Sequence, residues 1–153
     1  MRLIGNDGYG VELGVVDYQF PDAVYPLERR SWLVIKGTGY SPQGTWSFRW
    51  QALTPEDAIE LGRWLRHTTE LAVDSNEHPS AALSFIEPNL SFSAIRTDPN
   101  LIDLSIGLDL EFSPPWRYHT RAFDPFVIRS RFTTESVLTA ADDWTAEIGP
   151  FPP

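Results

Sequence analysis

Residues Ile102-Asp-Leu-Ser-Ile-Gly-Leu-Asp-Leu-Glu-Phe112 alternate without a break. Every even position is apolar (Ile102, Leu104, Ile106, Leu108, Leu110, Phe112), and every odd one is acidic, Ser or Gly (Asp103, Ser105, Gly107, Asp109, Glu111). Side chains of a β-strand point to opposite faces in turn, so this pattern predicts one long strand with its even face on a core and its odd face toward water or a partner.

Outward from that strand, further elements follow. Downstream, Pro114-Pro115 has no N–H to give to a ladder and must end the strand; Phe126 to Phe132 reads as one more. Thr133-Thr-Glu135 then opens a helix in which Val137, Ala141, Trp144 and Ile148 share a face, and Gly149-Pro150 closes it. Upstream, Leu83 to Ile86 and Leu90 to Ile95 are strands joined by Glu87-Pro-Asn89, and Asp98-Pro-Asn100 leads into the long strand, which makes a meander. Residues 73 to 80 read as a polar loop. In Leu53-Thr-Pro-Glu-Asp57, Thr54 suits an N-cap, Pro55 the first helical position and the acids the first turn, so a helix starts there. Its buried face is Ala58, Leu61, Leu65 and Thr68.

Nearer the N-terminus, two strands flank the turn Gly5 to Gly8, and the apolar phase shifts from Val15 to Val16, the mark of a bulge. A loop covers residues 21 to 30. Strands at Trp32 to Lys36 and Thr45 to Gln51 form a hairpin across Gly37-Thr-Gly-Tyr-Ser-Pro-Gln-Gly44, a stretch rich in turn formers. The fold class predicted is α+β: a predominantly antiparallel β-sheet of about 7–8 strands, one central helix (about 54–70) and one C-terminal helix (about 134–148), in a single domain spanning 1–153.

With 153 residues, the chain is long enough to bury about 70% of its unfolded surface, and six Trp, five Tyr and nine Phe supply bulky core material. There is no cysteine, so disulfides and thiolate sites are excluded. The N-terminus lacks the apolar segment of a secretion signal and no run of about 18 apolar residues occurs, so the expected location is cytoplasmic, with no membrane span. The net charge of −9, from 21 acidic and 12 basic residues, argues against direct binding to nucleic acid and for attraction to a basic protein partner.

No segment carries a catalytic, cofactor or metal signature. Asp109 and Glu111, two apart on one strand face, would hold carboxyls roughly 7 Å apart, a spacing open to an acid/base pair, although alternation alone demands polar residues there. His67, His78 and His119 are scattered over helix, loop and post-proline segments without metal-ligand spacing. There is no Gly-x-Ser-x-Gly elbow, and Gly37-Thr-Gly39 lacks the rest of a dinucleotide loop. The candidate partner-binding residues are Asp103, Asp109 and Glu111 on the polar strand face, with Glu87, Asn89 and Trp116 at its rim. Glu87 and Asn89 serve equally well as turn chemistry, and Trp116 as a cover for the open end of a sheet. Two other functions stay open: a small-molecule or carbohydrate site lined by tryptophans, and a hydrolase using Asp109 and Glu111.

Taken in order, Asp17-Tyr-Gln-Phe-Pro21, Ser31-Trp-Leu-Val-Ile35, Trp46-Ser-Phe48, Leu53-Thr54, Leu61-Gly-Arg-Trp-Leu65, Phe85-Ile-Glu-Pro-Asn-Leu-Ser-Phe92 and Glu111-Phe-Ser-Pro-Pro-Trp116 resemble the WapI-type immunity proteins over roughly residues 10 to 152. The resemblance implies a cytoplasmic, non-enzymatic antitoxin without cofactor. Its partner would be the C-terminal toxin domain of a large secreted polymorphic toxin, in the type system a nuclease acting on transfer RNA.

Overall fold

The computed structural model of the chain describes residues 1–73, 81–117 and 124–153. Among these residues, eight strands form two four-stranded antiparallel sheets, each a simple meander. The first contains β1 (Arg2–Ile4), β2 (Gly10–Tyr18), β3 (Leu33–Ser41) and β4 (Gly44–Leu53), in that order. The second contains β5 (Ala81–Ser84), β6 (Leu90–Asp98), β7 (Leu101–Leu108) and β8 (Phe126–Thr133). Three helices complete the fold: α1 (Pro26–Arg29), α2 (Pro55–Thr68) and α3 (Thr134–Ile148). The expected α+β class, the strand count and both long helices are present. The loop over residues 73 to 80 and the histidines at 78 and 119 lie largely or wholly outside the described residues.

Local chemistry sets the helix ends. At α2, Thr54 Oγ1 accepts from the Asp57 N–H and Asp57 Oδ2 from the Thr54 N–H, both at 3.0 Å, a reciprocal capping box. At α3 the Ser136 N–H donates to Thr133 Oγ1. The two helices pack on each other, and together they touch both sheets: α2 meets β4, β5 and β6, and α3 meets β1, β2 and β8. One cluster of buried side chains therefore joins both sheets and both helices, with Ile35, Leu61, Leu104, Phe112, Phe132 and Trp144 at 1% exposure or less. The β1–β2 turn ties the sheets directly, through Asn6 N–H to Arg131 O at 2.9 Å and Ser130 Oγ to Asp7 Oδ1.

The bulge expected at Val15–Val16 is present as a register shift between Val15 and Asp17. The expected hairpin is present, since β3 pairs antiparallel with β4, but its connection needs correction. Residues 37 to 41 are strand, and the β3–β4 turn is only Pro42-Gln43. The glycines serve packing: Gly37 lies opposite Phe48 and Gly39 opposite Trp46, and an added Cβ on either would sit 2.5 Å from the facing ring. Neither glycine has positive φ, so room, not turn geometry, is what they provide. Gly39→Ala must displace a Trp46 ring that is buried to 5% exposure, and should lower unfolding stability by about 2 kcal/mol, the cost typical of overpacking. Urea unfolding followed by tryptophan fluorescence checks this; an unchanged midpoint would show that the ring has room to move.

The long strand also ends earlier than its sequence pattern. β7 stops at Leu108, and Leu110–Phe112 form a 3-10 turn capped by Asp109, whose Oδ1 accepts from the Leu110 N–H at 2.8 Å. Leu110 has φ +48, the one positive value among non-glycine residues described. The alternation thus outlasts the strand by two pairs: Phe112 still reaches the core, stacking on Phe48 at 4.3 Å, while Leu110 points out at 49% exposure.

Candidate interaction surface

Three connections meet at the end of the second sheet where Leu90, Leu108 and Phe126 are paired: residues 85–89 before β6, 109–117 after β7, and the approach to β8. The ladder continues one step past the strands, since the Asp109 N–H donates to Asn89 O at 3.1 Å. Asn89 Nδ2 then donates to Glu111 Oε2 at 2.9 Å. Beneath, Phe112 O accepts from Trp46 Nε1 at 2.9 Å, which fixes the turn to the first sheet. A second 3-10 turn, Pro115–Arg117, sets Trp116 edge-on to Trp46 at 5.3 Å and over Gly44, with its Nε1 donating to Gln43 Oε1 at 3.4 Å.

The structure brings together Asn89, Asp109 and Glu111, with Glu87 two residues along the same loop and Trp116 joined to them through Trp46. It corrects several expectations. Asn89 is fully buried, so it is an internal brace and not a contact. Its Oδ1 has no hydrogen-bond partner among the described residues. Asp109 and Glu111 do not share a strand face: one caps a 3-10 turn and the other receives an amide, so the strand geometry from which their carboxyl spacing was expected is not present. Asp103 stands apart, five residues before Leu108 on β7, roughly 17 Å away. It is clasped by Arg131 of β8 through Nε at 2.7 Å and Nη2 at 2.9 Å. The hydrogen bonds and charge of Asp103 hold the Arg131 guanidinium above its ordinary range. With Arg129 beside them, the outer face of this sheet is not acidic. The tryptophans do not gather around a cavity: among the described residues a concavity of about 900 Å³ has no tryptophan in its wall, an open one of about 520 Å³ has Trp116 beside Gln43 and Phe126, and Trp46, Trp64 and Trp144 are core residues.

Two exposed apolar residues of this end escaped sequence reasoning, Ile86 at 81% exposure and Leu110. A left-handed leucine costs on the order of 1 kcal/mol, and such strain concentrates at binding sites. The tip thus offers Ile86, Leu110 and Trp116 among Glu87, Asp109 and Glu111 on braced turns, the make-up of a protein-binding surface.

The model of the immunity protein WapI-like family matches residues 2–152, and the chain belongs to that family. The role this implies is toxin neutralisation, with a toxin as the bound partner. A comparison with curated proteins finds no match. Among the described residues, no helix is long and apolar enough to cross a membrane.

Proposed function

We propose that this protein binds and neutralises a bacterial toxin domain of net positive charge, acting in the cytoplasm and without catalysis of its own. The observation that carries the reading is the family match over residues 2–152. The net charge of −9 supports a basic partner, and among toxins a nuclease is the class an acidic inhibitor matches best, since its nucleic-acid surface is cationic. The C-terminal domain of a secreted polymorphic toxin fits that description.

The test is to immobilise the protein, pass over it recombinant C-terminal domains of the large secreted proteins of its own organism, and co-express each retained domain with and without it. Retention of a domain that stops growth alone and is harmless in the pair supports the reading; retention of none overturns it. For a retained domain, Glu87→Lys with Glu111→Gln moves the net charge from −9 to −6, as the first change adds two and the second one. Gln keeps an acceptor for Asn89 Nδ2. The association rate at low salt should fall about tenfold and its salt dependence should flatten. Stopped-flow mixing at two ionic strengths reads both; unchanged rates would remove the tip from the interface.

A further inference from the structure

The segment between β2 and β3 carries apolar side chains that the fold does not use. Leu27 is 90% exposed, Val24 83% and Tyr25 72%, with Phe20 half-exposed beside them. α1 buries none of its residues. Ordinary loops leave single apolar side chains in water; four within eight positions, presenting on the order of 500 Å² of surface, reach the size at which a patch marks a contact site.

The backbone beneath is braced. Arg29 Nε and Nη2 both donate to Ala23 O, at 3.1 and 2.9 Å, closing the loop on itself. The Ala23 N–H donates to Phe20 O, and Ser31 Oγ to Glu28 O. The chain's last residues support it from the side: Tyr18 OH donates to Pro152 O at 2.7 Å, Arg30 Nη1 to Pro153 O at 2.9 Å, and the Tyr18 ring meets Phe151 edge-on. Apolar groups held this way dock with little further loss of conformational freedom.

Charge selects the occupant. Asp17, Asp22 and Glu28 are exposed around the patch, and Arg29 and Arg30, also exposed, are tethered to main-chain oxygens, so the three acids outnumber the two cations there and the charge of the whole chain decides. A second copy would bring the same acids and the same −9, so self-association is opposed and a cationic protein is favoured. We infer that Val24, Tyr25 and Leu27 anchor the basic toxin domain by entering an apolar recess on it, an assignment that rests on the toxin-binding reading above. The anchor leads into the start of β3, and Trp116 of the tip lies over Gly44 just past its end, a strand length of roughly 26 Å. Their roles are separable: the tip acids set how fast the partner arrives, and the anchor sets how long it stays.

The experiment uses the full chain with Tyr25→Asp and Leu27→Asp together, and Leu27→Ser alone as a milder variant, against the same panel of recombinant C-terminal domains. Thermal unfolding should move by about 1 °C or less, since these side chains are outside the core. For a domain that wild type retains, the double variant should lose about 100-fold or more in affinity, chiefly as faster dissociation, and Leu27→Ser about tenfold. Unchanged dissociation from a domain that wild type does bind overturns the anchor and leaves the toxin-binding reading standing. Retention of no domain by wild type overturns both. Sedimentation equilibrium showing a wild-type dimer that the double variant dissolves assigns the patch to a second copy, and a melting temperature lowered by more than about 5 °C assigns it to the fold; either result overturns the proposal.

Discussion

Replacing Trp144 by alanine is expected to remove about 4 kcal/mol of unfolding free energy, within the range for truncating a buried aromatic. The side chain is wholly buried, and its Nε1 donates to Ala58 O of α2 at 2.7 Å, so α3 is docked to α2 by a ring and a hydrogen bond together. The facing helix offers Gly62, where even a methyl group would come to 3.4 Å from the indole. A cavity there cannot be filled by a neighbour that has no side chain, which places the cost near the upper end. More than packing depends on the seat of α3. Its Glu147 reaches out to accept the Val15 N–H at 3.0 Å, where β1 no longer covers the edge of β2. Trp144→Phe keeps most of the volume, loses the hydrogen bond, and should cost about half as much. Denaturant unfolding of both variants, with the slope unchanged, measures the two values. A loss under about 1.5 kcal/mol for alanine would mean that the helices close over the gap.

The parts of the fold legible in the sequence are those fixed by neighbours along the chain. Thr54, Pro55 and Asp57 announce the start of α2, and the apolar positions Val137, Ala141 and Trp144 announce the buried face of α3, because a helix is written in contacts three and four residues apart. Strands are written partly in their partners. Gly37 and Gly39 read as turn formers until Phe48 and Trp46 are laid across them from the next strand. The alternation from 102 to 112 records which side chains reach the core, and it does so faithfully at Phe112; it carries no sign that the backbone curls at Asp109. α1 was missed because four residues with no buried side have no periodicity to detect.

The candidate site was legible in the same partial way. Asn89 stood out beside a proline in a tight connection, and Asp109 and Glu111 as acids on an alternating strand; the structure joins them, but as a brace in which the buried amide serves the acid. Asp103 seemed equal to Asp109 on alternation alone; its neighbour Arg131 is 28 residues away and enters through β7–β8 pairing. Ile86, Leu110, Val24, Tyr25 and Leu27 were passed over because an apolar residue is read first as core. One signal was available: Phe20, Ala23, Val24 and Leu27 fall at helical spacing, but Pro26 inside that stretch breaks the helix, and an apolar face whose helix cannot form has no element to bury it.

Asn89→Asp puts the brace itself to the test, through pH. The new carboxylate has the shape of the amide it replaces, is fully buried, and has an oxygen where Nδ2 now donates to Glu111 Oε2 at 2.9 Å. Two carboxylates at that distance cannot both remain charged, so the substituted group's folded-state pKa rises above the unfolded value of about 3.9. The sign follows. Well below the unfolded pKa the group is protonated in both states and donates its proton to Glu111, so folding suffers little, and near pH 4 the loss is still small. As pH rises, the unfolded state ionises first, and the stability lost grows until the folded-state pKa is passed, reaching about 3 kcal/mol at neutral pH. The variant should therefore be nearly as stable as wild type near pH 4 and far less stable at pH 7, measured by urea unfolding at both. An equal deficit at the two pH values would show that lost shape, not charge, is responsible. Adding Glu111→Gln should restore most of the loss at pH 7, because Gln Nε2 can donate to the new carboxylate and the hydrogen bond re-forms with its direction reversed. Rescue of that kind has no explanation in packing alone. It would identify the Asn89–Glu111 contact as what holds Leu110 and its neighbouring acids in their folded conformation.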